Sequence, residues 1–272
     1  MTETKRKGAQ SIKDIPKNIL EQLNRGEIET ATLAEWAAID RKILLENLLK
    51  QNNRKEYLRP ILSQINNVKK QTSNTINIAI GAGLYEQITI HKDSEFLKII
   101  SKHKSDFVRG WGAYVIGKNS ALNIKQMLQK IQPFSADCHF GVREEAWCAV
   151  RWKIIENLDE SIIILSKWAT NKDENIRRFA SEATRPRGVW CEHINELKQN
   201  PELALPILEP LKSDKSKYVQ DSVGNWLNDA SKTQSEFVKK LCKRWEKEST
   251  TKETKYIIKK ALRTINKKEM EK

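Results

Sequence analysis

The chain has 272 residues, 39% of them apolar and 31% charged, with only 10 Gly and 7 Pro. That balance excludes disorder over most of the length and disfavours a turn-rich all-β protein, leaving helices as the first expectation. Lys and Arg exceed Asp and Glu by 49 to 35, a net charge of +14; this favours a polyanionic partner, although a lysine-rich surface alone would give the same total.

In chain order, residues 1–10 read as a disordered tail and residues 11–266 as a single α-solenoid domain. Within it, 11–100 is a set of irregular helices, 101–266 carries HEAT-like repeats, and 267–272 is frayed. The stretch IETATLAEWAAIDRKILLENLLKQ places Leu33, Trp36, Ala37, Asp40, Leu44 and Leu48 at helical spacing, with Thr32 and Glu35 positioned as a capping box. Residues 54–68 form another amphipathic helix. NTINIAIGAGLYEQITIH alternates Ile76, Ile78 and Ile80 as a strand would, yet a lone strand in a helical chain has no pairing partner, so a buried helix is expected.

From residue 105 the sequence repeats itself. SDFVRGWGAYVIG, FGVREEAWCAVRW, ENIRRFASEAT and KYVQDSVGNWLND align on Val108, Val142, Ile176 and Val219, at steps of 34, 34 and 43 residues. A weaker copy, YIIKKALRTI, lies near Ile257. Small or apolar residues recur four and eight positions beyond each anchor, on one helical face. Amphipathic stretches such as ALNIKQMLQKIQPF and DESIIILSKWAT fall between the copies. The pattern is that of paired helices stacked into an all-α, HEAT-like curved solenoid with a concave basic groove. The arginine after the anchor has a structural reading in such repeats: Asp106 and Asp173 are placed to pair with Arg109 and its equivalents.

The third copy concentrates charge. Arg177, Arg178, Arg185 and Arg187 lie within eleven residues, balanced by Glu174 and Glu182 and followed by Trp190. Pro186 ends the helix, and a stiff loop carrying two guanidinium groups suits bidentate phosphate contacts. The alternative is a salt-bridge network with Glu182 and Glu192. In the second copy Trp147 and Arg151 share a helix face at a spacing of four, as a cation–π pair or a recognition surface, while Trp152 points to the core. In the fourth, Asn225, Trp226, Asn228 and Asp229 cluster on one turn. Residues 241–272 hold eleven Lys and Arg against five Asp and Glu, which extends a footprint on a duplex or simply forms a solvated cap.

Several chemistries find no support. GAYVIGKN at 112–119 imitates a phosphate loop but has Asn119 at the hydroxyl position and coincides with a repeat helix. His91, His103, His139 and His193 are isolated, and Cys138, Cys148, Cys191 and Cys242 form no CxxC pair, so no metal or other cofactor is expected. The cysteines read as single thiols in a reducing compartment. No apolar run approaches a membrane span, so a cytoplasmic, soluble, monomeric protein with no membrane partner is expected.

The residues RRFASEATRPRGVW, YVQDSVGNWLNDASK and IETATLAEWAAIDRKILLENLL resemble the AlkC/AlkD superfamily of alkylpurine DNA glycosylases, the AlkC branch more closely, over nearly the whole chain. The resemblance implies an all-α solenoid with double-stranded DNA in its cleft, and excision of N3- or N7-alkylated purines without metal or cofactor. Such a base already carries positive charge, so a carboxylate and aromatic faces that stabilise the developing oxocarbenium ion suffice. Family patterns put a catalytic aspartate four residues after a tryptophan in one branch, where this chain has Arg151. In the other branch a glutamate stands where this chain has Trp147. The family's supporting arginine falls in the Arg177–Arg178 pair, and a cleft tryptophan falls at Asn225, one residue before Trp226. Arginine cannot replace that acid, because its interaction with the transition state has the opposite sign. Glu144, Glu145, Glu182 and Asp229 are the substitutes to hand, with Asp229 and Glu145 carried forward, although Glu145 points away from the Trp147 face. The DNA contacts expected are Trp147, Arg151, Arg177, Arg178, Arg185, Arg187, Trp190, Asn225 and Trp226. A non-catalytic binder of damaged or branched DNA, or a scaffold for an acidic protein, remain as rivals.

Overall fold

The computed structural model describes residues 6–188 and 191–270. These residues contain α-helices and short 3-10 turns and no strand. In order the helices are α1 (Lys17–Asn24), α2 (Leu33–Ala38), α3 (Arg41–Gln51), α4 (Leu58–Asn66), α5 (Ser73–Ile90), α6 (Ser94–Ser101) and α7 (Asp106–Gly117). There follow α8 (Ile124–Ser135), α9 (Phe140–Glu156), α10 (Leu158–Trp168), α11 (Glu174–Ala183) and α12 (Asn195–Gln199). The last are α13 (Leu205–Leu208), α14 (Lys217–Ala230), α15 (Ser235–Glu248), α16 (Lys252–Ala261) and α17 (Arg263–Met270). The chain forms two compact units: residues up to Ala121 with His139–Ala149, and Leu122–Cys138 with Val150 onward.

Starts and stops of the helices are written locally. Asp40, Asp93 and Asp173 each accept a backbone N–H of the helix they precede, and Thr72 with Thr75 and Asn123 with Gln126 close reciprocal capping boxes. At Thr32 only half of the expected box forms. Thr32 accepts the Glu35 N–H at 3.3 Å, but the Glu35 carboxylate accepts the Ala31 N–H at 2.8 Å and holds Arg6 at 2.6 Å. Part of the stretch expected to be a loose tail is therefore tethered: Arg6 to Glu35, and the Ala9 carbonyl to the Thr32 hydroxyl. The isoleucine-rich segment is helical, as α5, because its backbone groups pair internally and both flanks are covered by packing against α4 and α7.

In the first unit α5 lies against α4 and α7, and α6 against α7. Fully buried Leu44, Leu45, Ile61, Ile65, Ile80, Leu84, Phe96 and Val108 fill the space between, each worth roughly 1.5–3 kcal/mol of burial. Gly117 permits a backbone contact there: a Cβ at that position would lie 2.2 Å from the Ala149 carbonyl oxygen. The phosphate-loop look-alike is thus the end of a packed helix.

The second unit shows the repeat directly. The first helices run α8, α10, α13, each touching the next, and the second helices α11, α14 and α16 likewise form a row of neighbours. The anchors Val219 and Ile257 are fully buried, as are Val223 and Ala180 at the fourth position.

The residue after the anchor closes the turn that precedes its own helix. The Arg109 guanidinium donates to the carbonyls of His103 and Lys104 at 2.8 and 2.9 Å. Arg177 does the same to Asn171 and Lys172, both at 2.9 Å. Gln220, in the equivalent place, donates to the Asp214 carbonyl at 2.8 Å. The acids differ from those expected, because Arg109 pairs with Glu29 and Arg177 with Asp214. Asp106 instead accepts the Thr30 N–H and hydroxyl at 3.1 and 2.8 Å, and Asp173 is a helix cap.

Candidate nucleic-acid interface

The arginine-rich segment of the third repeat resolves into an internal ion network. Glu182, on α11, is 5% exposed. It accepts the Arg185 guanidinium at 2.8 Å and the Ser222 hydroxyl at 2.7 Å, and the Arg178 guanidinium lies 3.6 Å away. Burial pushes this carboxyl upward, but Arg178 and Arg185 outweigh it and hold it below the usual range. Arg185 also reaches Asp229 on α14, at 2.6 and 2.9 Å, and Lys232 donates to the other oxygen of that carboxylate at 2.8 Å. Burial opposes the charge on Arg185, and the two carboxylates more than restore it.

Arg151 is the larger correction. It is 2% exposed. Its Nε donates to the Glu192 carbonyl at 2.8 Å, and its two terminal nitrogens to the carbonyls of Ala183 and Arg185 at 2.8 and 2.6 Å. A guanidinium engaged in this way supports the backbone of the connection after α11 and does not reach a phosphate. Trp226 is likewise core: it is fully buried, with its indole N–H on the Thr184 carbonyl at 3.0 Å. Its neighbour Asn225 is the partly exposed residue of that turn. Arg177 is held by Asp214 at 2.6 and 3.0 Å as well as by its turn carbonyls. Arg187 is half-buried, with no partner for its Nε hydrogen among the described residues. Trp190 lies outside the described residues. Trp152, expected in the core, is half-exposed under the Lys153 ammonium.

Of the two candidate acids, Asp229 is buried and neutralised by Arg185 and Lys232. Glu145, in the first unit, has a different setting. Its carboxylate accepts the Asn77 amide at 2.9 Å, and the Asn77 carbonyl oxygen accepts the Trp111 indole N–H at 3.1 Å. Gly110 makes room for it, since a Cβ there would meet the Glu145 side chain at 3.1 Å. Crowding by protein atoms pushes the carboxyl above its usual range; hydrogen bonds from Tyr114 and Asn77 and the charge of Arg41 pull the other way, and Glu144 adds to the rise. Trp147 is 7% exposed, and its indole donates to Glu144 at 2.9 Å.

The row of second helices carries a feature that the charge count hides. Tyr218 and Tyr256 stand immediately before the anchors Val219 and Ile257, and each takes a cation over its ring. Arg178 of α11 lies 4.2 Å from the Tyr218 centroid, and Lys217 of α14 sits on Tyr256. Asp221 ties the end together, accepting the Tyr256 hydroxyl at 2.6 Å and the Lys260 ammonium. Lys217, Lys255 and Lys259 are exposed around it. Alternating cations and aromatic faces along neighbouring helices suit a phosphate backbone and its sugars. The tyrosine before two successive anchors was the available signal, and the alignment on anchors passed over it.

Residues 146–265, which include this row, match the model of a family described as DNA alkylation repair enzyme. Over 120 residues the chain is 43% identical to Uncharacterized protein YhaZ of Bacillus subtilis, covering 44% of this chain and 33% of the relative. The fold is shared with solved structures. Pseudomonas fluorescens alkylpurine DNA glycosylase AlkC, bound to DNA containing an abasic site analog, superposes with a TM-score of 0.66 at 21% identity, covering 95% of this chain and 65% of that one. AlkD2 from Streptococcus mutans gives 0.58 at 23% identity, covering 76% and 97%. The S. mutans protein smu.31 gives 0.53 at 25% identity, covering 82% and 98%. The chain spans about a third of the curated relative and 65% of the AlkC chain.

Proposed function

We propose, on the premise that the chain belongs to the AlkC/AlkD superfamily of DNA alkylation repair proteins, that it binds duplex DNA and excises cationic alkylated purines. The observation that carries the binding is that the segment matching the repair family holds the cation–tyrosine row on α11, α14 and α16. Lys217, Tyr218, Tyr256 and Lys260 grip the backbone, and Asn225 and Arg187 add contacts from the same unit. Arg151, Arg177, Arg178 and Arg185 act indirectly, by holding the elements that carry these side chains.

Glu145 is the acid we assign to the chemistry, ahead of Asp229. A carboxyl crowded by protein and short of compensating cations gains most from a positively charged base or sugar. The arriving charge becomes its counter-ion and favours the ionised form. Asp229 already has two cations, so a third gains little. An alkylated purine is a good leaving group, so electrostatic stabilisation and a positioned water complete the hydrolysis without a covalent enzyme intermediate.

Two assays separate the parts. Gel shifts across a salt series on undamaged duplex test binding. Log K falls with log salt at a slope of about −0.9 per phosphate neutralised, and Tyr256→Ala with Lys217→Ala shallows it by roughly one contact. Release of 3- or 7-methylpurine from alkylated duplex tests the chemistry. Release no greater than from a heat-killed sample ends the glycosylase reading and leaves a non-catalytic binder of damaged DNA.

A further inference from the structure

In the first unit, α3 and α4 leave an open groove that the DNA-binding reading does not use. One cavity of about 430 Å³ is lined by Lys55, Leu58, Arg59, Leu62, Ser63 and Asn66. It shares Lys55 and Leu58 with a second depression of about 220 Å³ that runs on to Glu46 and Lys50. The groove follows from the α4 sequence. Ile61 and Ile65 point inward and are fully buried. Leu58 and Leu62, one turn apart on the adjoining face, are only half-covered. Among the lining residues Lys50, Lys55 and Arg59, all exposed, stand against one carboxylate, Glu46, while the exposed Glu56 follows Lys55 in the chain. None of these three cations forms an ion pair among the described residues.

The groove is held in shape. Asp93 fixes the start of α4, accepting the Arg54 guanidinium at 2.6 and 3.0 Å and the Tyr57 hydroxyl at 3.0 Å. At the far end the Lys42 ammonium reaches the Asn66 side chain at 3.5 Å. An aliphatic floor with a cationic rim and a polar end selects one kind of occupant. Phosphate backbones leave leucine uncovered, and no aromatic ring lines the floor on which a base would stack. Carboxylates spaced around an aliphatic side chain satisfy both rim and floor.

We propose that this groove docks an acidic segment of a partner protein that presents leucine-like side chains between carboxylates. The test uses the full chain and a fluorescein-labelled twelve-residue peptide built from Glu, Asp and Leu, followed by fluorescence anisotropy at about 0.15 M salt. Three controls accompany it: the same peptide with every Leu replaced by Ser, the double variant Lys55→Glu/Arg59→Glu, and unlabelled duplex as competitor. Both substituted residues are exposed, so the fold is preserved. The proposal expects saturable binding that weakens at least about tenfold for the Ser peptide and about tenfold or more for the double variant, with duplex failing to displace the peptide. No binding up to roughly 100 μM peptide, equal binding of the Ser peptide, or an unaffected double variant overturns it. Displacement by duplex also overturns it and makes the groove a phosphate site.

Discussion

Arg185→Ala distinguishes an arginine that builds the protein from one that binds its ligand. In the structure Arg185 is 14% exposed at its side chain and bridges two carboxylates that are themselves 5–6% exposed. Removing it leaves Glu182 with Arg178 at 3.6 Å and the Ser222 hydroxyl, and Asp229 with Lys232 alone. Breaking a buried ion pair by deleting one partner costs about 3–5 kcal/mol, and the remaining cations place this case near the lower end. For a chain of this size about 3 kcal/mol lowers Tm by roughly 6–12 °C. The pH dependence follows from Glu182. Its folded pKa lies below the ordinary value, so its stabilisation is full above about pH 4.3 and is lost as pH falls through the folded pKa. The variant keeps Arg178 and Ser222 on Glu182 and forfeits only the Arg185 share of that contribution, so the gap between the two melting curves should narrow on acidification. Differential scanning calorimetry from neutral pH downward, with gel shifts on the same samples, is the assay. A variant that melts within about 1 °C of the parent while losing DNA affinity would refute the network reading and restore Arg185 to the phosphates.

Arg151→Met keeps the length of the side chain but strips donors from three carbonyls. At roughly 1–3 kcal/mol per unsatisfied group, partly relieved by water, it should destabilise by about 2–4 kcal/mol. It should also open the connection after α11 to limited proteolysis, read as cleavage within 185–194. Arg177→Ala should cost more than Arg177→Gln in chemical denaturation, because a glutamine already serves the turn carbonyl at position 220; equal losses would disprove a carbonyl-bonding role. Glu145→Gln should abolish base release while leaving undamaged-duplex binding unchanged. Because the folded pKa of Glu145 is raised, the parent loses stability as pH climbs from about 4.3 towards that value. The glutamine variant should lack this decline in a urea series, and an identical decline in both proteins would show that Glu145 is not its source.

The repeat was legible because it is a one-dimensional signal. Anchors at Val108, Val142, Ile176 and Val219 recur at steps of 34, 34 and 43 residues, and the helices form where the pattern puts them. The helical state of α5 also followed from sequence, by the argument that a strand needs a neighbour. The fate of each cation did not follow. Whether Arg185 faces solvent or Asp229 depends on how α11 and α14 stack, across 44 residues of sequence. Trp226 and Asn225 differ by a single position, a turn of about 100° around the helix, and that turn separates a buried ring from a half-exposed amide. Arginine density therefore says nothing of direction: Arg151, Arg177 and Arg185 face carbonyls and carboxylates inside the second unit.

The step from the third anchor to the fourth is longer than the others, and the surplus falls in the connector after α11. Among its described residues the Ile194 N–H reaches back to the Pro186 carbonyl at 3.1 Å. Arg151 ties this link down, holding the Ala183 carbonyl at the end of α11 and the Arg185 and Glu192 carbonyls of the connector. A repeat array can thus lengthen one of its links and still have both ends of it held by a single planar cation. Insertions elsewhere in such arrays should be tolerated where a comparable fastener already exists, and should fray where it does not.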